Sequence, residues 1–154
     1  MNIIYDSDLQ FIQGKDCNFC EMVLNKENLY YIIITANDCV VCGFVKPIIS
    51  EKEENYVLGS DIFLASLVNS NGVITAKQYI GKNDAFFKLG NNLDCNVFHF
   101  GQFDMTLIRE TDLKQPKFGA YTCETRYFNF GKDTTGLNEN KELRAKRLMV
   151  VQMS

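Results

Sequence analysis

A chain of 154 residues that is 46% hydrophobic, with 12 Phe and 7 Tyr, suits one domain or a domain with a small appendage, and excludes global disorder. Its net charge of −3 is uneven: residues 1–110 hold fourteen acids against eight bases, whereas residues 111–154 hold five acids against eight bases. A basic face able to neutralise several phosphates is therefore excluded except near the C-terminal residues, and there only a modest one.

Taken in order, Asn2 to Ile12 reads as a short strand and turn, and Glu21 to Asn28 as a helical turn or polar loop. Leu29-Tyr30-Tyr31-Ile32-Ile33-Ile34-Thr35 is rich in β-branched and aromatic residues, which predicts a strand buried on both faces. Asn37-Asp38 is a turn signal. Ser50 to Asn55, with Glu51, Lys52, Glu53 and Glu54, is the best linker or surface loop. Ile62 to Val68 and Val73 to Ala76 flank Asn71-Gly72, a hairpin signal because both turn positions favour φ > 0. Shorter strands follow at Lys77 to Ile80 and Ala85 to Leu89. Val97 to Ile108 is nearly continuous in β-formers, and Lys117 to Phe130 alternates aromatic with polar residues. Lys141 to Arg147 reads as a helical turn and Leu148 to Met153 as a last strand. Short strands with turns about every ten residues describe a mainly β protein, a sandwich or barrel-like body.

Two cysteine pairs carry the most specific chemistry: Cys17-Asn18-Phe19-Cys20 and Cys39-Val40-Val41-Cys42, with eighteen residues between them. Four thiolates at this spacing can converge on one tetrahedral Zn²⁺, and a closed four-sulfur site organises structure without activating water. Gly43, after the second pair, would let backbone N–H groups turn toward sulfur, as a tight metal knuckle needs; Glu21 stands at the matching place after the first. Free buried thiols are the alternative. Over residues 15–45 the chain resembles zinc ribbons in this spacing and in its Cys-x-x-Cys-Gly. The resemblance implies a structural Zn²⁺ on Cys17, Cys20, Cys39 and Cys42, and a module that contacts nucleic acid or protein.

His99 alternates with Val97, Gly101, Phe103, Met105 and Leu107, which places it on an apolar strand face, with Asp104 on the opposite face of the same strand. A core or interface histidine is the expectation, and a histidine-triad hydrolase would need histidines where Gly101 and Phe103 stand. Lys141, Arg144, Lys146 and Arg147 form a small basic cluster, read as a solvated surface or a phosphate contact. Residues 69–81, Asn-Ser-Asn-Gly-Val-Ile-Thr-Ala-Lys-Gln-Tyr-Ile-Gly, resemble the short β units of phage tail-fibre and related virion proteins, which implies stacking on neighbouring chains.

These readings combine into a Cys₄ zinc-ribbon-like module over residues 1–50 and an all-β body over residues 51–154. The expected role is non-enzymatic: a structural or protein-binding component, of a virion or other assembly, that contacts other protein chains including its own copies. Tyr121, Tyr127 and Phe128 are the candidate aromatic anchors, with Arg144, Lys146 and Arg147 as charged contacts. The alternative is a zinc-ribbon accessory factor in nucleic-acid transactions. The longest apolar run, Tyr30 to Ala36, is too short to span a bilayer, and the opening Met1 to Asp6 lacks the features of a signal peptide. No membrane partner is expected, and a cytoplasmic location is (host cytoplasm and then the particle, for a viral protein).

Overall fold

The computed structural model describes residues 1–10, 19–50, 56–59, 61–69, 71–81, 84–90, 96–101, 104–109, 118–121 and 142–154. They form β1 (Asn2–Asp6), α1 (Ser7–Gln10), α2 (Phe19–Val23), β2 (Leu29–Thr35), β3 (Val40–Val45), β4 (Tyr56–Leu58), β5 (Ile62–Val68), β6 (Ile74–Ile80), β7 (Phe86–Leu89), β8 (Asn96–Phe100), β9 (Met105–Arg109), β10 (Phe118–Tyr121) and β11 (Glu142–Gln152). The protein is mainly β, as its sequence texture predicts. All pairings among the described residues are antiparallel.

Hydrogen bonding follows one path, β4-β7-β8-β9-β10-β11-β2-β3-β5-β6, with β1 also on β11. β11 is the seam. Its first half pairs with β10, its second half with β1, and β2 runs along its other side. The path doubles back there, so that β2 and β3 pack face to face on β7 and β8. Tyr31 on β2 lies 4.9 Å from the rings of both Phe87 and Phe98 and 5.9 Å from Phe100. Phe19 of α2 closes one end, 4.8 Å from Tyr5 and 6.2 Å from Phe98. Strands from both sides of the expected boundary at residue 50 share this sheet and core: β3 pairs with β5, and β2 pairs with β11. The charged stretch 51–55 lies outside the described residues.

Local sequence sets the turns. The β2–β3 and β5–β6 hairpins close alike: Thr35 N–H donates to Cys39 O and Asn69 N–H to Val73 O, each at 3.0 Å. Both are three-residue loops ending in the left-handed region, at Asp38 (φ 60°) and Gly72 (φ 73°). The Asn71-Gly72 signal therefore marks a hairpin, but not the two-residue turn it predicts. Asn69 explains the longer loop, because its side-chain oxygen accepts the N–H of Asn71 and of Val73, each at 3.0 Å.

Two further expectations change. Val97 to Ile108 is two strands, turned back by a loop at Gly101 (φ 60°). Glu142 to Arg147 is strand, not a helical turn, because β10 and β2 flank it and backbone pairing on both sides outweighs helix propensity.

Candidate functional site

The cysteines were the first candidates. Cys17 lies outside the described residues. Cys20 sits on α2, and its thiol donates to Gly90 O at 3.0 Å, which ties the helix to the end of β7. Cys39 stands opposite Thr35 at the mouth of the β2–β3 hairpin and is buried, whereas Cys42 is inside β3, paired with Ile32 and Ala65. Three residues apart on extended chain, their side chains leave opposite faces of the sheet, with α-carbons about 10 Å apart along the strand. A metal knuckle needs both thiols on one side of a tight turn. Burial also pushes the Cys42 thiol up to about 12, away from the thiolate a metal requires. Among the described residues no three His, Cys, Asp or Glu side chains gather closely enough to hold an ion. The described cysteines therefore do not fit the four-sulfur site expected from their spacing. Gly43 has another use: a Cβ there would lie 2.2 Å from the Phe100 ring, so glycine permits the close approach of the two layers.

The charged candidates are engaged within the molecule. Lys146 pairs with Asp38 at 3.3 Å across the exposed end of the hairpin. Arg147 grips the buried carboxylate of Asp6 through Nε (2.9 Å) and Nη2, and also reaches Asp8 at 3.2 Å. The guanidinium holds the Asp6 carboxyl below its ordinary range. This fork fastens β1 to β11, and Ser7 reinforces it by accepting the Leu148 N–H at 3.0 Å. Lys141, Tyr127, Phe128 and the side chains of Tyr121 and Arg144 lie outside the described residues.

His99 is not on the apolar face. Phe98 and Phe100 point to the aromatic core, whereas His99 lies half-buried on the other face, between exposed Lys88 and buried Thr106, its ring edge-on to Phe86 at 5.8 Å. The register shift between Asn96 and Phe98 accounts for the reversed alternation, since Val97 is buried as well. Because β8 turns back into β9, alternation from Thr106 carries Asp104 to the same face as His99, which a single continuous strand would forbid.

The outer face of β2, β3, β5 and β6 was not singled out from sequence. In register across these strands lie Tyr30, Phe44, Phe63 and Ile80, with Tyr30–Phe44 centroids at 4.5 Å and Phe44–Phe63 at 4.9 Å. The next row is Ile32, Cys42, Ala65 and Gln78; the row beyond is Ile34, Val40, Val68 and Ile74. Eleven of these twelve positions are apolar, where the solvated side of an antiparallel sheet normally alternates to polar residues. Ile74 is 80% exposed and Ile80 66%. The signal is present in the sequence: Tyr30 to Ile34 and Ile62 to Ala65 are apolar in both parities. It reads as double-sided burial, yet the outer parity is only half-buried at Tyr30, Ile32, Ile34, Phe44 and Phe63, while the small Cys42 and Ala65 between them are buried.

Among the described residues no helix is long and apolar enough to cross a membrane. No family model matches the chain, and no curated protein matches its sequence, so the functional reading rests on this geometry.

Proposed function

We propose that the protein is a non-enzymatic binding and assembly component, whose outer β2-β3-β5-β6 face docks against another protein chain. One observation carries this reading: three successive rows of apolar side chains on a face with no layer of the described sheet packed against it. Ile74 and Ile80 are mostly exposed, Cys42 and Ala65 are buried, and the other apolar side chains are half-buried; at about 200 Å² for a large side chain this leaves on the order of 600 Å² of apolar surface, the upper end of the largest patch on a typical monomer. Aromatic side chains in such a patch are favoured as anchors of binding energy, and Tyr30, Phe44 and Phe63 form one of its rows. The nucleic-acid alternative gains no support from Lys146 and Arg147, whose charges are already matched by Asp38, Asp6 and Asp8.

The test is binding of a fluorescent apolar probe to dilute protein. Wild type should bind it, and a folded Phe44→Lys variant should bind several-fold less. Equal binding by the two would remove the docking face, and with it this reading.

A further inference from the structure

Resting on that reading, we infer that the occupant of the face is a second copy of this chain, packed face to face about a two-fold axis. The face carries its own complement. The Tyr30-Phe44-Phe63 row is a ridge of rings. Beside it, Cys42 and Ala65 are the small residues of the next row, 3% and 6% exposed, so the face steps down from the ridge to a closed apolar floor. An isologous contact brings the same patch to both sides, so a two-fold axis near these small residues lays each ridge over the partner's lower row. Two sheets of the same twist pack in this way with strands about 30° apart, as the layers of a sandwich do.

The area agrees. Two faces of the size above would bury roughly 1,200 Å² in total, at the lower edge of stable specific interfaces and above incidental contacts. The centre of the face bears no charge. Arg147 at one margin is neutralised by Asp6 and Asp8, so self-contact buries no unpaired ion there. Edge-to-edge pairing through β6 is the competing way for two copies to meet. It is disfavoured by the irregularity between Ile74 and Lys77, where Ala76 takes a φ of 44°, and by Lys77 itself, both of which blunt a sheet edge.

Sedimentation equilibrium of the full chain tests the proposal, with Ala65→Arg and Phe63→Lys as variants and circular dichroism to verify their folding. Ala65→Arg puts a long charged side chain into the lower row of the outer face, away from the inner layer. The expected result is a mass that doubles with concentration in wild type, and a dissociation constant raised at least tenfold in both variants. A dimer that Ala65→Arg leaves intact would place the contact elsewhere, at the β6 edge first, and overturn the assignment. A wild type that stays monomeric at its highest soluble concentration also overturns it. If the apolar probe still binds that monomer, the face docks another partner; if the probe fails too, the docking reading falls with the dimer.

Discussion

Tyr30 and Tyr31 are neighbours in the chain and identical in chemistry, yet they belong to two different aromatic sets. Tyr31 points inward and is fully buried against Phe87, Phe98 and Phe100; Tyr30 points outward and lies half-exposed in the row with Phe44 and Phe63. The inner set joins two layers and so carries the fold. The outer set joins strands that backbone hydrogen bonds already hold, so its removal costs the fold little. Rings placed where the fold does not need them suggest a contact outside the fold.

The sharpest way to break this comparison is truncation on each side. Phe98→Ala should cost about 3–5 kcal/mol, the range for deleting a buried ring, whereas Phe44→Ser on the half-exposed side should cost about 1 kcal/mol or less in the monomer. Chemical denaturation reads both, and comparable losses would abolish the distinction. Gly43→Ala comes next. The added methyl collides with Phe100, whose ring is fixed by Tyr31, Phe87 and Phe98 and has no room to yield. A loss of about 1–3 kcal/mol is expected, as for other overpacked cores. If melting is unchanged, the layers are less tightly apposed than described.

The Asp6–Arg147 fork gives a pH signature. The folded-state pKa of Asp6 is depressed, so its contribution is complete above the unfolded value near 3.8 and is lost as pH falls through the lower folded value. Asp6→Asn should therefore lower the melting temperature at neutral pH and flatten its acid dependence below pH 4. Parallel acid limbs in the two proteins would remove the fork from the stability of the β1–β11 contact. A smaller effect, of opposite sign, is expected at Tyr31. Its hydroxyl is buried and has no hydrogen-bond partner among the described residues. Tyr31→Phe should be neutral or stabilising by up to about 1 kcal/mol, and a clear loss would reveal a partner for that hydroxyl. The smallest effect expected is none: a strong chelator should leave the melting temperature unchanged, and Cys42, its thiol kept protonated and enclosed by burial, should resist alkylation until the protein unfolds. Stoichiometric zinc and a chelator-induced drop in melting would restore the four-sulfur site.

The β class was legible because β-branched runs and turn residues recur at short spacing, and β2, β5 and β6 fall where that texture puts them. The pairing was not. Nothing local in Glu142 to Arg147 announces that it lies between β10 and β2, and its Lys, Arg and Leu content favours helix. The second cysteine pair is extended for a related reason. Cys-x-x-Cys specifies a knuckle only where the chain turns, and Val40-Val41 between Cys39 and Cys42 is β-branched sequence that favours extension. Face assignment at His99 failed by one residue, because one shift of register ahead of Phe98 inverts the alternation that follows. The docking face could be read only in outline: sequence gives apolar residues in both parities, but which parity meets a second layer depends on where the path folds back.

The position of β11 also bears on how the native state is reached. Asn2 pairs with Gln152, and three other strands lean on this one segment, so its closure demands contacts between residues about as remote as the chain permits. Topologies of this kind pass a high entropic barrier and fold slowly. Until the keystone is seated, the flanks of β1, β2 and β10 stand open, and refolding in dilute solution should outperform refolding in concentrated solution because those flanks then meet their own chain first.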